Sequence, residues 1–299
     1  PEQLAGMLRQ AGFEHVVVRT HEARLVAWVS RRPLAIDEDP ARLRAPYLDY
    51  LRRRAGDPAV PAPTGAALRY RLYRERVFDG AWEEASRLRP AVVAWATPPG
   101  ARADVPASWI EALGTRATLR EYTAVAPYVL PAVMTLLGRH AQLGDADPAR
   151  ALAWYDAALL AQERMVRASP IHVMESVHVG WHALWQRPVC AIALRDWARA
   201  RATLDALGEA TTRPSATFAH ARAHRAGSLA ILEHAALTQA SLGRWDDVAH
   251  AAGWLSRLAT PHRPGEPPEP EASVLAASFD ALVARCRDRD PGRARAALQ

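Results

Sequence analysis

The period of the hydrophobic residues changes within the first thirty positions of the chain. Hydrophobic residues recur at helical spacing over 4–11, and Gly12 follows where a helix would end. Two apolar runs of strand length come next, at 16–18 and 25–29, with a polar stretch between them. The pattern predicts helix, strand, turn and strand in the segment 1–34. Because one helix and two strands bury little surface, we expect this segment to dock on another part of a protein.

The remaining chain has helical periodicity, interrupted by joints that are rich in proline. Ala, Leu, Arg, Trp and Glu dominate between the joints, and they favour helices by propensity as well as by period. The predicted fold class is mainly α, an α-solenoid of antiparallel helix pairs. The expected organisation is a linker at 35–64, helical repeats at 65–260, a Pro-rich loop at 261–270 and terminal helices at 271–299.

A short motif recurs in the repeat region. It has a Gly, an aromatic residue two positions later and a small residue three positions further, as in Gly80, Trp82 and Ala85. We expect the Gly to end the first helix in a left-handed cap, the aromatic ring to fill the space between the paired helices, and the small residue to let their backbones approach. A matching copy has Gly243 and Trp245, another has Trp197 and Ala200 with Arg195 in place of the Gly, and a looser copy has Gly144, Ala151 and Tyr155.

This motif resembles that of the tetratricopeptide repeat, over about residues 65–258. The resemblance implies helix hairpins that stack on one another. The small residues of successive copies are 66, 49 and 48 positions apart, whereas the simple repeat has a period of ~34, so we expect long or irregular pairs. The segments 71–76, 80–85, 153–159 and 175–190 are also similar to the tetratricopeptide-like regions attached to some bacterial glycosyltransferases.

The first segment has a different resemblance. The stretch 8–18, which contains Ala-Gly-Phe before a run of valines, and the stretch 23–29 look like the end of a class I S-adenosylmethionine-dependent methyltransferase domain. There, a final helix leads into two antiparallel strands that close the sheet. The half of that family that binds the cofactor is missing from these residues. We therefore expect a fragment whose parent protein uses S-adenosylmethionine, and no cofactor in this chain itself.

Composition and charge exclude several classes of protein. The net charge is +6 and all 38 basic residues are Arg, but no stacking aromatics are interleaved with them, so we expect no nucleic-acid partner. No apolar run is long enough to cross a bilayer. Cys190 and Cys286 are 96 positions apart, which fits neither a disulfide framework nor a metal site. The expected location is the cytoplasm.

The densest group of potential ligands lies in 172–182. His172, Glu175, His178 and His182 are spaced by three, three and four residues, so they fall near one face of a helix. Glu175 with His178 reproduces half of a carboxylate-bridged metal site, but the second such unit is missing, so metal binding is the weaker interpretation. The alternative is a binding groove on the inner face of the repeats, formed by these side chains together with Trp181 and Trp185.

The sequence identifies no catalytic residues. We predict a non-catalytic binding or scaffold region of a modular bacterial methyltransferase, whose partner is a protein or an enzyme of glycan or natural-product assembly. Two alternatives stay open, namely the accessory region of a glycosyltransferase and a helical metalloenzyme that uses Glu175, His178 and His182.

Overall fold

The computed structural model describes residues 2–21, 24–30, 40–114, 130–168, 173–212, 224–260 and 270–298. These residues are mainly helical and fall into two compact units, which divide between Gly56 and Asp57. Within the described part of the chain, no helix combines the length and the apolar character that crossing a membrane requires.

The first unit contains a helix, a β-hairpin and a second helix: α1 (Glu2–Gln10), β1 (His15–His21), β2 (Arg24–Ser30) and α2 (Pro40–Gly56). Gly12 follows α1 with a φ of 90°, a left-handed conformation that glycine adopts without strain. The strands are antiparallel, with His15 opposite Ser30 and His21 opposite Arg24. Their origin as the end of a larger α/β domain remains a prediction.

Helix α2 lies inside the segment 35–64 that the sequence predicted to be a linker. The prolines that suggested a linker lie in the stretch 57–63, after this helix. Pro40 occupies the first turn, where a proline removes no helical hydrogen bond, and Pro46 lies inside the helix.

Among the described residues of the second unit, the only regular secondary structure is helical. Its helices are α3 (Ala62–Phe78), α4 (Trp82–Ala96), α5 (Pro106–Ala112), α6 (Leu130–Leu143), α7 (Pro148–Ala168), α8 (Val173–Ala193), α9 (Trp197–Thr212), α10 (Arg225–Ser241), α11 (Trp245–Ala259), α12 (Pro270–Cys286) and α13 (Pro291–Ala297). The last of these, α13, buries no residue.

Successive helices form hairpins that stack in order along the chain. The pairs are α3 with α4, α6 with α7, α8 with α9, α10 with α11, and α12 with α13, each joined by a short turn that makes the two helices antiparallel. The first helix of each pair also packs against the first helix of the next, from α3 through α6, α8 and α10 to α12. This is the arrangement expected of an α-solenoid.

One residue in each of the five hairpin turns has a positive φ. The values lie between 53° and 70°, at Gly80, Ala146, Arg195, Gly243 and Arg289. The next residue donates its N–H to a carbonyl near the end of the first helix, for instance from Asp147 to Ala141 at 2.8 Å. Successive turns are 66, 49, 48 and 46 positions apart, so the long and uneven spacing found in the sequence is also present in the structure.

The turn after α6 corrects one expectation. The sequence placed the left-handed cap at Gly144, but the positive φ belongs to Ala146. Gly144 has a different role, because a Cβ atom there would lie 2.9 Å from the carbonyl oxygen of His140 and 3.1 Å from the ring of Trp82. The glycine is therefore required for close packing and not for its backbone angle.

The small residues of the motif are buried as predicted, and the aromatic residues behave differently. Ala85, Ala151, Ala200 and Val248 are completely buried. Trp82, Trp197 and Trp245 are only partly buried, because they begin the second helix of their pairs. The rings of Trp82 and His140 are in an edge contact with centroids 5.8 Å apart, and the Arg244 guanidinium carbon lies 4.1 Å from the ring centroid of Trp197. These two tryptophans thus join one pair to the next.

Candidate functional site

Part of the predicted ligand group lies outside the described residues. His172 is not among the described residues. Glu175 and His178 lie in α8, but the structure does not describe their side chains. Over the described ranges, no group of three or more His, Cys, Asp or Glu side chains is placed to hold a metal ion. The interpretation as a metal site therefore stays a prediction.

The two tryptophans of the predicted groove pack between repeats. Trp181 is completely buried and stacks on His224, with ring centroids 5.1 Å apart and an interplanar angle of 22°. Trp185 is partly buried, and its Nε1 donates a hydrogen bond to Ser228 Oγ at 3.1 Å. Both rings thus contact the start of α10, because residues four apart on α8 share one face. Trp181 lies in the core and does not line an open groove.

His182 is the member of the predicted group with an incomplete environment. Its ring lies edge-on to Tyr155, with centroids 6.3 Å apart. Its Nε2 atom is buried and has no hydrogen-bond partner among the described residues. Burial and, to a smaller extent, the positive charge of Arg139 lower the pKa of His182 to about 4. The imidazole is therefore neutral at pH 7.

Arg139, on the neighbouring helix α6, has the same deficiency. Its Nε atom is buried without a hydrogen-bond partner, and the described residues supply no acidic side chain that pairs with it. The guanidinium carbon lies 5.4 Å from the centroid of the Phe78 ring, so one side of the cation is held by an aromatic face. Arg139 was not among the predicted site residues, although an arginine in a helix whose other residues are mostly apolar was a usable signal.

A chain of hydrogen bonds holds the surrounding side chains in place. The Tyr155 hydroxyl donates to Gln142 Oε1 at 2.8 Å, and Gln142 Nε2 donates to Gln186 Oε1 at 3.0 Å. Burial raises the pKa of Tyr155 above its usual range, so the hydroxyl stays protonated. A Cβ atom on Gly138 would lie 2.7 Å from the Tyr155 ring, so the glycine permits this approach.

We name these five side chains the Arg139–His182 site, which consists of Arg139, Gln142, Tyr155, His182 and Gln186. Its unpaired atoms are suited to hydrogen bonding with a ligand. Burial raises the pKa of the thiol of Cys190, on the same helix as His182, to about 12 and keeps it protonated, with a smaller contribution from Asp156. The described side chains of the site are suited to binding a polar group.

Comparison with known proteins gives no match. No protein-family model, no curated protein and no solved structure matches this chain. The resemblances to tetratricopeptide repeats, to methyltransferases and to regions attached to glycosyltransferases therefore remain predictions.

Proposed function

We propose that residues 57–299 form a non-catalytic helical-repeat module that binds a protein partner, and that an acidic side chain of the partner enters the Arg139–His182 site. The observation that carries the proposal is the pair of buried, unpartnered atoms, Arg139 Nε and His182 Nε2, on the adjacent helices α6 and α8. Leaving a buried polar group unpaired costs about 1–3 kcal/mol. A ligand that completes both hydrogen bonds recovers that cost on binding.

The electrostatics favour a carboxylate as the group that enters. Arg139 is a permanent cation, and it has no acidic partner among the described residues. A carboxylate oxygen accepts a hydrogen bond from Arg139 Nε, and it also accepts one from His182 when the neutral ring carries its proton on Nε2. The ring of Phe78 against Arg139 keeps the guanidinium in position for this contact.

The architecture favours a protein over a small molecule as the partner at this site. The first helices of the pairs lie side by side, and such stacks present extended surfaces for binding. Exposed apolar side chains continue beyond α8 along this series of helices, at Leu237 on α10 and Val274 on α12. They supply hydrophobic contacts that an acidic anchor alone lacks.

The test is selection of random displayed peptides on the folded chain, followed by measurement of each enriched peptide with purified variants. We expect the enriched peptides to contain Asp or Glu. The Arg139→Gln variant should bind them about tenfold more weakly, since a hydrogen bond to a charged group is worth about 1.5–3 kcal/mol. The matched control is Arg71→Gln, which removes the same charge from an exposed position on α3 and should leave affinity unchanged.

Two outcomes contradict the proposal. Enriched peptides without acidic residues would mean that the site does not select a carboxylate. Acidic peptides that bind Arg139→Gln and Arg71→Gln with equal affinity would mean that they follow the net charge of the chain and not this site.

For the protein that contains this module, we propose a modular S-adenosylmethionine-dependent methyltransferase that acts with glycan or natural-product assembly partners. The support is the likeness of residues 8–18 and 23–29 to the end of such a domain. The two alternatives, a glycosyltransferase accessory region and a metalloenzyme, have no described contact that favours them.

A further inference from the structure

A second candidate site is a cavity on the other side of α6. It has a volume of about 170 Å³ and lies between α4, the loop after α4, α6 and α7. Its wall is mainly apolar and includes Val93, Leu137, Ala141 and Trp154. Leu137 and Ala141 lie one helical turn apart, on the face of α6 opposite to Arg139. The cavity is therefore separate from the Arg139–His182 site.

Three charged side chains line the same cavity. Arg89 is held by an ion pair with Asp145, at 2.5 Å between Nη1 and Oδ2. The other two are Arg150 and Asp104, and neither side chain forms an ion pair with any described residue. They also do not pair with each other, although the cavity that both line is small. The structure thus places a positive and a negative group apart at one apolar cavity.

The positive charge of this region extends into its surroundings. Burial lowers the pKa of His140, which is on α6 next to Ala141, and the charges of Arg89 and Arg150 lower it further. The negative charge of Asp145 raises the pKa of His140, but by less than Arg89 lowers it. Because Arg89 is already paired with Asp145, Arg150 is the guanidinium of the cavity that is available to an approaching carboxylate.

We propose that this cavity binds a free α-amino acid with an apolar side chain. The carboxylate pairs with Arg150, the ammonium group pairs with Asp104, and the side chain packs on Val93, Leu137 and Trp154. The size fits, since a cavity of about 150 Å³ in another protein takes up benzene. Asp104 and Arg150 are both exposed to solvent at the edge of the cavity. Of the common ligand classes, a zwitterion pairs with both of them, whereas a simple acid or amine pairs with only one.

The test is calorimetric titration of the full chain with three probes of nearly equal size. L-Phenylalanine has both charges, phenylpropionate lacks the ammonium group, and phenethylamine lacks the carboxylate. We expect phenylalanine to bind at least about tenfold more tightly than either of the others, because each loses one charged hydrogen bond.

Variants of Asp104 and Arg150 should each weaken a different set of the three probes. Asp104→Asn should weaken phenylalanine about tenfold and leave phenylpropionate unchanged. Arg150→Gln should weaken phenylalanine and phenylpropionate by about that factor and leave phenethylamine unchanged. Ala103→Trp at the exposed edge of the cavity should block all three probes, and Arg71→Gln on α3 should affect none.

Three results would overturn the inference: no binding of any probe, equal affinity for phenylalanine and phenylpropionate, or equal weakening by Arg150→Gln and Arg71→Gln. The outcome is independent of the proposed function, since Arg139→Gln should weaken acidic-peptide binding about tenfold and leave phenylalanine affinity unchanged. Circular dichroism of each variant establishes that a loss of binding is not a loss of fold.

Discussion

Two buried histidines on neighbouring first helices of the repeat array differ in how completely they are hydrogen-bonded. His140 on α6 has a partner at each nitrogen, with the Tyr73 hydroxyl 3.2 Å from Nδ1 and the Ser86 hydroxyl 3.1 Å from Nε2. His182 on α8 has a buried Nε2 without a partner among the described residues. Burial lowers the pKa of both rings. The two environments therefore share their burial and differ in their hydrogen bonds.

The difference distinguishes a structural residue from one that is available for binding. His140 connects three helices, because Tyr73 belongs to α3 and Ser86 to α4. Removing it leaves the buried Tyr73 hydroxyl without a partner, whereas the exposed Ser86 hydroxyl can bond to water. His182 makes no such connection, so its polar atom contributes nothing to the fold that an apolar group could not supply.

Ser86, His140 and Asp145 do not form a catalytic triad, although their residue types suggest one. The Ser86 hydroxyl and the Asp145 carboxylate both face Nε2 of His140, the carboxylate at 3.7 Å. In a triad, the acid holds the nitrogen opposite to the one that faces the serine. Here the Tyr73 hydroxyl occupies that second nitrogen. The cluster therefore joins the first two hairpins and lacks the geometry that activates a serine.

The largest effect is expected for His140→Leu. This change should lower the free energy of unfolding by about 3–4 kcal/mol, because it leaves the buried Tyr73 hydroxyl unpaired and replaces a well-packed ring. Urea unfolding at pH 7 measures it. A loss below about 1 kcal/mol would show that His140 is no more structural than His182.

The next effect is the response to acid. The pKa of His182 is 6.5 in the unfolded chain and about 4 in the folded one, so below pH 6.5 the unfolded state binds a proton that the folded state does not. The free energy of unfolding should therefore fall between pH 6.5 and pH 4, by up to about 3 kcal/mol from this residue. Urea unfolding across this range, with wild type and His182→Leu compared, isolates the contribution, since His140 is present in both. Parallel curves would contradict it.

Tyr73→Phe should make His140 resemble His182, because one ring nitrogen of His140 then has no hydrogen-bond partner. It removes the partner of Nδ1 and keeps the ring, so we expect a loss of about 1 kcal/mol. Tyr155→Phe is the corresponding control at the second site, where the lost hydrogen bond is to Gln142 and not to a histidine. If Tyr73→Phe causes no loss in urea unfolding, the contact between Tyr73 and His140 does not stabilise the fold.

The smallest effect is expected for His182→Leu at neutral pH. Because the substitution removes an unpaired buried atom, the free energy of unfolding should change by less than about 1 kcal/mol or rise slightly. The same variant should weaken binding of acidic peptides. Calorimetric unfolding together with peptide titration separates the two roles, and a large loss of stability would mean that His182 is structural.

The local features of the fold were predictable from the sequence, because they depend on residues close to each other in the chain. Gly80 and Gly243 have the predicted left-handed conformation, and the predicted small residues are buried. Ala146, Arg195 and Arg289 adopt the same conformation without being glycine. Arg195 had been aligned with the Gly position of the motif, whereas Ala146 and Arg289 were missed, because the hydrogen bonds of the turn compensate for a backbone angle that their own side chains disfavour.

The sites were less predictable, because they depend on contacts between distant residues. His182 was identified from its spacing, but its relation to Arg139 follows from the packing of α6 against α8. The pairing of Ser86 with His140 joins residues 54 positions apart. The cavity combines side chains from α4, the loop after it and two further helices, and no local pattern in the sequence indicates such a group.

Because each hairpin packs mainly on its neighbours in the array, evolution or design can change the length of the array. Both sites lie between α4 and α8, and the final hairpin ends in α13, which buries no residue. Loss of that last helix costs the chain little apolar burial. Helix α13 can therefore be removed while both binding sites keep their neighbours.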